Sequence, residues 1–580
     1  MRGTCLIAVL VVGAQLLAWA ACSTVRAQDS GQPGGATLAP PSLEPTLKPP
    51  TPAPTPQATP DPAPAAPVSA EPVPATPEPS AQPSSEPPLA AAPAAPAGTP
   101  DPVVSGIRAK LGDAALRKGA NADDLAALEA FYGARTGAPL WMTEMGFSAK
   151  GQSALFQIAK ADDWGLDASQ FELPPAGELP ASPEAQALAE LKLDLAILKY
   201  ARFARGGRVN PLDLDDKFDQ APPVRDPKTV LAEIEASDAP DTYLQSLHPK
   251  HEQFVRLHQA LLEARSNDEQ AEGDSAKPAN DLAVKRIVLN MERWRWMPED
   301  LGSIYVWNNS PEFMLYVVKD GKMIYADKTL VGTSAYATPI FDADMTSIIF
   351  NPDWVAPETV VTENLLPPLR DGNYSILKVH KLSVSYNGKP VDPRKIDWGR
   401  VNIKAFAFTQ KGGPDNVLGK VKFWYPNRHT VYMHDTLGYR KKYFQKPVRA
   451  IGHDCVRMEK PQQFAETLLA EGKGWSPAQV KEQWDTGVNS AIALDRPIPV
   501  HMTYFTVVVD EAGKVSTFTD LYGFDRKLAN ALFGNTTGFP APPPDTTVPR
   551  EDEADASPSA RRSGASHNDI AGSLGAFLGD

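Results

Sequence analysis

One short stretch, Ala450 to Lys460, combines a cysteine with a histidine, an acid and an arginine. In its sequence, AIGHDCVRMEK, Cys455 follows His453 and Asp454 and precedes Arg457. The thiolate is the nucleophilic form of cysteine, and a nearby cation and the exposed backbone amides of a turn both favour it. Asp454 opposes this effect slightly. We therefore expect Cys455 to serve as the nucleophile of a covalent reaction.

A nucleophilic thiol needs a base to accept its proton, and two histidines are candidates. His434 ends an alternating, strand-like run, HTVYMHD, from which a side chain can project. His453 is so near Cys455 that the backbone can direct its ring away from the thiol or toward the oxyanion. Two other interpretations remain open. One is a zinc site of His429, His434, His453 and Cys455, although their spacing matches no paired CxxC or HExxH pattern; the other is a structurally inert cysteine.

The elements that position these residues are predicted to be strands. The run EFMLYVVKDGKMIYADKTL alternates on both sides of Asp320 and Gly321, which favour the positive φ of a hairpin turn. The run HMTYFTVVVDEAGKVSTFTD repeats this pattern. A mostly β domain is therefore predicted from about Arg286 to Phe533, within the domain bounds 281–535. An insert at about 356–405 breaks the strand rhythm, as lids and binding loops do.

Residues 103–280 are predicted to form a helical scaffold. The clearest helix opens at Ser182 and Pro183 and ends at Gly206. Its apolar spacing predicts one buried face, formed by Leu188, Leu191, Leu195 and Leu198. The fold class is therefore an α+β multidomain protein.

The two ends of the 580-residue chain have a different composition. Residues 1–27 are predicted to be a signal peptide cut after Ala27, because their apolar run is shorter than the roughly 18 residues that span a bilayer. A lipoprotein cut before Cys22 is the alternative. The Pro/Ala-rich residues 28–102 and the tail 536–580 are predicted to be disordered, since they have too little apolar content to offset the entropy of ordering.

Charge and cysteine content exclude some partners. The chain has 57 Lys and Arg against 70 Asp and Glu, a net charge of -13, and no basic block for a nucleic acid. No second apolar run is long enough to cross a membrane, so we expect an exported chain with no transmembrane segment once the leader is cut. Cleavage after Ala27 also leaves Cys455 as the one remaining cysteine, which cannot form an internal disulfide.

At the stretch YMHDTLGYRKKYFQKPVRAIGHDCVRME, the chain resembles the L,D-transpeptidases of bacterial cell walls, which have a YkuD-type β-fold. Their signature is a strand ending in histidine, then Ser/His-Gly-Cys-hydrophobic-Arg. The resemblance extends to VGTSAYATPIFDADMTSIIFNPDWVAP, to RPIPVHMTYFTVVVDEAGKV and, in the scaffold, to LKYARFARGGRVNP. It covers nearly everything from about Leu125 to Phe533 and is similar to the large periplasmic, YcbB-like branch.

The resemblance implies roles for individual residues. Cys455 matches the nucleophile, His434 the general base, and His453 a position that shapes the oxyanion hole. Backbone amides near Asp454 and Cys455 would hold the oxyanion. Arg457 matches a residue that either meets a substrate carboxylate or braces the loop. The resemblance also places two residues along the family's cleft, where each could instead be a packing or turn residue: Trp354 and Asn416.

The implied activity is the transfer of an acyl group between peptidoglycan stem peptides. A donor tetrapeptide would form a thioester and release D-Ala, and an amine of a neighbouring stem would resolve it as a 3–3 cross-link. Attachment of an outer-membrane protein, hydrolysis, and an inactive wall-binding protein are the alternatives. The resemblance implies a periplasmic enzyme that needs no metal and no organic cofactor and that carbapenems acylate, and we expect a monomer.

The chain departs from the family pattern in two places. The glycine that normally precedes the catalytic cysteine is Asp454, which puts the geometry of the oxyanion hole and the pKa of the thiol in question. The small peptidoglycan-binding helical module that is common in this branch is also missing between scaffold and catalytic domain. Anchoring to the wall would then depend on the scaffold, the lid or the active site.

Overall fold

The structure, a computed structural model, describes residues 101–175, 182–270 and 277–544. The predicted signal peptide, nearly all of the predicted linker and most of the predicted tail lie outside these residues. At the two margins, Asp101 caps a helix that begins at Pro102, and Phe539 is buried. The described structure therefore includes residues 101–102 and 536–544, which composition assigns to the linker and the tail.

The first half of the described chain is helical, as predicted. Its helices are α1 (Pro102–Leu111), α2 (Ala114–Gly119), α3 (Ala122–Ala134), α4 (Ala149–Ala159), α5 (Pro183–Gly206), α6 (Pro227–Ala236), α7 (Pro240–Ser246), α8 (Glu252–Gln270) and α9 (Lys277–Trp296). Three short strands accompany them: β1 (Met142–Thr143), β2 (Gly146–Phe147) and β3 (Phe218–Asp219).

Helix α5 begins and ends where the sequence predicts. The Ser182 side chain accepts a hydrogen bond from the Ala185 amide, Pro183 is the first helical residue, and Gly207 takes a φ of 82° just beyond the end. The predicted leucine face is only half right. Leu191 and Leu198 are buried, Leu195 is partly buried, and Leu188 is 41% exposed. The core-facing stripe is therefore rotated away from Leu188.

The remaining strands lie in the second half. They are β4 (Ile304–Asn309), β5 (Met314–Lys319), β6 (Lys322–Leu330), β7 (Ile340–Phe350), β8 (Trp354–Val355), β9 (Leu382–Tyr386), β10 (Lys389–Pro390), β11 (Phe406–Gln410), β12 (Val421–Trp424), β13 (Met433–His434), β14 (Val456–Met458), β15 (Ser490–Thr503), β16 (Val507–Val509) and β17 (Val515–Thr517).

Six helices lie among these strands. They are α10 (Glu358–Val360), α11 (Leu366–Arg370), α12 (Ser375–Val379), α13 (Pro461–Lys473), α14 (Pro477–Asp485) and α15 (Phe524–Phe533). A helical half followed by a sheet-rich half confirms the α+β class. In the described chain no helix has the length and apolar character needed to cross a membrane.

The main sheet closes on itself. Its neighbours follow the order β12-β13-β14-β6-β5-β4-β15-β7, and β12 also pairs with β7, from Val421 opposite Phe350 to Trp424 opposite Ser347. Strand β3 joins β7 beside β12. The result is a barrel whose interior is the main apolar core.

Both predicted hairpins are present. Strands β5 and β6 flank Asp320 and Gly321, whose φ angles are 49° and 74°, as a two-residue hairpin turn requires. Strands β16 and β17 form the second hairpin. Arg286 lies within α9, and the first strand of the barrel begins at Ile304.

The predicted insert is a separate layer beside the barrel. Strands β10, β9, β11 and β8 form a four-stranded sheet in that order, and α10 to α12 pack on it around their own apolar core. Because β8 and β11 belong to this sheet, the insert extends beyond 356–405 at both ends. Its first turn reaches the barrel where β13 and β14 lie.

Candidate active site

Two adjacent parallel strands bring the predicted nucleophile and base together. In the register of β13 and β14, Met433 lies opposite Val456 and His434 opposite Arg457, so Cys455 immediately precedes the strand that runs beside His434. The Val456 amide donates to the Tyr432 carbonyl at 3.2 Å. A loop separates His434 and Cys455 in sequence, but the pairing of β13 with β14 brings them together in the sheet.

A cavity of about 270 Å³ opens at this point of the barrel. The barrel and the first turn of the insert line it together, the insert contributing Pro357 through Val360. Six of the predicted site residues line this cavity: Cys455, His434, His453, Asp454, Arg457 and Trp354. Trp354 is buried on β8, in the apolar core of the insert.

The surroundings of Cys455 favour the neutral thiol. Burial, and after it the carboxylate of Asp454, raises the pKa of the Cys455 thiol to about 12, whereas the backbone of Tyr432, Arg457 and Lys422 act in the opposite direction. The expectation that this stretch favours the thiolate is therefore wrong, because the loss of solvation outweighs the nearby cations. A nucleophilic reaction at this sulfur would therefore need a base that removes its proton during attack.

His434 has the properties of a base. Its side chain is 2% exposed, and its Nδ1 is buried without a hydrogen-bond partner among the described residues. Burial, with a smaller contribution from the Arg457 charge, holds the pKa of His434 well below its usual value. The imidazole is thus neutral at pH 7 and able to accept a proton.

His453 and Asp454 form the part of the cavity wall that precedes Cys455. The His453 ring lies 4.0 Å from the ring of Tyr336, between centroids. Asp454 has a negative φ, so it does not need the conformational freedom of the glycine found in relatives. Its carbonyl accepts a hydrogen bond of 2.9 Å from the Thr338 hydroxyl. The loop therefore accommodates an aspartate without backbone strain.

Arg457 braces this loop. Its Nη1 donates to the Ile451 carbonyl at 3.2 Å, and its side chain is nearly buried. Gly452 has a φ of 100°, and a Cβ there would lie 2.5 Å from Arg457 Nη1. The turn before Cys455 thus depends on a glycine that leaves room for the guanidinium.

Asn416 does not line the cavity. Its Nδ2 donates to the Gln410 and Lys411 carbonyls at 3.3 and 3.0 Å, and its Oδ1 accepts from the Leu418 amide at 2.8 Å. These bonds use its amide to shape the loop that carries Leu418 into the cavity wall. Asn416 is a turn residue in this structure, and its position in sequence could not distinguish the two roles.

One cation near the thiol was not identified from the sequence. Lys422 lies opposite His434 in the pairing of β12 with β13, and its Nζ is 3.9 Å from the centre of the Tyr432 ring. The sequence signal that could have identified Lys422 was its place in the alternating, strand-like run VKFW, which contains no acid. Lys422 contributes a positive potential near Cys455.

The zinc interpretation gains no geometric support. Within residues 101–175, 182–270 and 277–544, no group of three or more His, Cys, Asp or Glu side chains could hold a metal ion. His429 also lines the cavity, and its Nε2 lies 3.4 Å from Asp219 Oδ2. A thiol, a neutral imidazole and braced backbone amides in one cavity are instead suited to acyl transfer.

Comparison with known proteins gives two domain matches. Residues 126–261 match the model of a scaffold domain, and residues 303–488 match the model of the L,D-transpeptidase catalytic domain of the YkuD family. A protein of Haemophilus influenzae named "Putative L,D-transpeptidase" is 31% identical over 247 residues, which is 42% of this chain and 49% of that protein. The chain thus spans about half the length of this curated relative.

Proposed function

We propose, since this chain belongs to the L,D-transpeptidase family through its YkuD catalytic domain, that it forms 3–3 cross-links between peptidoglycan stem peptides in the periplasm. The observation that carries the proposal is the shared cavity: Cys455 and His434 lie on adjacent parallel strands and line one opening. The order of scaffold domain and catalytic domain supports the same assignment, because it fits the YcbB-like architecture.

The first half of the reaction forms a thioester. His434 takes the proton of Cys455 as the sulfur attacks the carbonyl of the third residue of a donor tetrapeptide. Backbone amides near Asp454 and Cys455 stabilise the oxyanion, with His453 shaping this region. The imidazolium of His434 then protonates the leaving amine, and D-Ala departs.

The second half returns the free enzyme. An amine of a neighbouring stem attacks the thioester, His434 accepts a proton from it, and the thiol of Cys455 is restored. A thioester persists in water long enough to wait for an amine when a lid limits hydrolysis. The insert has the position for such a lid, because its residues Pro357 and Glu358 line the cavity.

The neutral state of Cys455 gives one rival some support. An inactive wall-binding protein would need no reactive thiol, and burial with Asp454 raises the pKa of Cys455 to about 12. The neutral, buried His434 favours the enzyme over this rival, because a base poised beside a thiol has a use in catalysis.

The test is the intact mass of the protein after incubation with disaccharide tetrapeptide. We expect a thioester adduct and D-Ala release for the unmodified protein and neither for Cys455→Ala. Among the products, a cross-linked dimer identifies transpeptidation, and a tripeptide monomer identifies hydrolysis. Turnover by Cys455→Ala would overturn the proposal. A carbapenem should label the unmodified protein at Cys455, whereas most penicillins should label it poorly.

A further inference from the structure

The side chain of Asp454 faces the cavity with few partners. Its side chain is 26% exposed, and the ring nitrogen Nδ1 of His453 lies 3.8 Å from Oδ1. Among the described residues, no lysine or arginine forms an ion pair with it. The cavity therefore has a carboxylate next to its nucleophile with most of its hydrogen-bonding capacity unused.

The cations of the site have other contacts. Arg457 donates to the Ile451 carbonyl, and the Lys422 ammonium lies over the rings of Tyr432 and Trp424, 3.9 and 4.5 Å from their centres. Glu358, the other carboxylate of the wall, is 3.1 Å from Lys404. Asp454 is thus the acid of this cavity that can receive a cation from outside.

The same carboxylate is a disadvantage for the first half of the reaction. Its negative charge opposes ionisation of Cys455, as the raised pKa of the thiol indicates. A cation bound at Asp454 would offset that charge. The amine that resolves a thioester arrives at neutral pH as an ammonium ion, which is a cation of this kind.

We propose that Asp454 binds the primary ammonium group of the acceptor stem peptide and holds it beside the acyl group on Cys455. This inference rests on the proposed function and adds the basis on which the site selects an amine over water. The contact raises the local concentration of the amine. Water gains nothing from the negative charge.

The bound ammonium gives one proton to His434, and the amine nitrogen forms a C–N bond with the thioester carbonyl as the C–S bond breaks. The sulfur leaves with the bonding electron pair and takes the proton from His434, which restores the thiol. The nitrogen loses its second proton to solvent as the amide forms. Asp454 keeps its charge throughout and positions the acceptor without taking the proton.

The test compares two rates in Asp454→Asn, which keeps the shape and removes the charge. The protein is incubated with disaccharide tetrapeptide, and D-Ala release, cross-linked dimer and tripeptide are measured over time. We expect D-Ala release to become faster. The ratio of dimer to tripeptide should fall about tenfold, since one charge-assisted contact is lost, and a higher acceptor concentration should restore it.

Two further variants complete the design. Asp454→Gly, which restores the residue of relatives, should behave as Asp454→Asn does and guards against a folding defect of one variant. Asp485→Asn removes an exposed acid that pairs with Lys481 on α14, and should change neither rate.

The outcomes are distinct. A dimer-to-tripeptide ratio that is unchanged in both Asp454 variants overturns the inference and leaves the proposed function intact. A wild type that yields tripeptide alone overturns the proposed cross-linking, and this inference with it, while leaving the thioester chemistry intact. A wild type that forms no thioester overturns the proposed function and this inference with it.

Discussion

At the scale of single residues, the sulfur of Cys455 is held neutral while the imidazole of His434 is held neutral beside the same cavity. Burial is the largest cause in both cases, raising one pKa and lowering the other. A thiolate–imidazolium pair at rest would need the opposite shifts. In the proposed mechanism, the thiol is therefore not ionised at rest and gives its proton to His434 during attack.

This arrangement predicts the pH dependence of acylation. The rate of carbapenem acylation, followed by loss of its absorbance, should be flat from about pH 6.5 to 9, since the thiol pKa of about 12 lies above that range. The rate should decline only below the ordinary histidine pKa of about 6.5, because the pKa of His434 is lowered. A rise with an apparent pKa between about 7 and 9 would contradict the neutral thiol.

Residue types and spacing were enough to predict that Cys455 and His434 belong to one site, and both line the same cavity, but they could not place every neighbour. The histidine-ending strand and the Cys455 turn could be read from sequence, since nucleophile and base must be of these types. Asn416 and Trp354 could not be separated, because only the fold decides which side chain faces a cavity. The pKa of Cys455 depends on burial, which charge counting along the chain cannot supply.

At the scale of elements, α5 offers a matched pair of leucines. Leu191→Ala should lower the free energy of unfolding by about 2 to 5 kcal/mol, because Leu191 is 1% exposed in the scaffold core. Leu188→Ala should cost less than about 1 kcal/mol, since that side chain is 41% exposed. Urea unfolding of the two variants measures both values. Equal losses would restore the leucine face that the sequence predicts.

The same helix explains which parts of the fold the sequence could give. Its ends follow from Ser182, Pro183 and a glycine stop, which are local signals. Its buried face depends on partners such as α1 and α3, so an apolar period alone misplaced it. The run RIVLNMERW lies within α9, and a helix packed between scaffold and barrel is apolar on several sides and has no clear period.

At the scale of the whole molecule, a stack of three rings lies between the scaffold and the helices that lead to the barrel. Trp164 is stacked between His248 and His258, with centroid distances of 4.3 and 3.9 Å. The Tyr200 hydroxyl is 2.9 Å from His248 Nε2, and Arg295 Nη2 donates to the Trp164 carbonyl at 2.6 Å. The buried guanidinium of Arg295 therefore lies beside this ring stack.

The stack predicts an acid-sensitive stability. Burial, with Arg295, lowers the pKa of His248, and burial lowers that of His258. A histidine whose pKa is lower in the folded than in the unfolded protein gives its full contribution to stability above the unfolded pKa of about 6.5. That contribution is lost progressively as the pH falls below about 6.5 toward the folded-state pKa. His248→Phe, which keeps a stacking ring, should reduce the loss of unfolding free energy between pH 7.5 and 5 by up to about 2 kcal/mol.

The comparison of wild type with this variant is needed because other groups act with the opposite sign. Burial raises the pKa values of Glu190 and Asp194, so their contribution is present at low pH and declines as pH rises. Denaturant midpoints at the two pH values for each protein provide the difference. Identical pH dependence in both proteins would exclude His248 as the source.

The closed ring of strands limits how a peptide can be recognised. Strand β13 is bonded to β12 and β14, and β14 is bonded to β13 and β6, so the backbone of the catalytic strands has no vacant edge. A stem peptide cannot bind by lengthening this sheet, as ligands of open-edged domains do. Selectivity must come from side chains and turns, where a single replacement can redirect it.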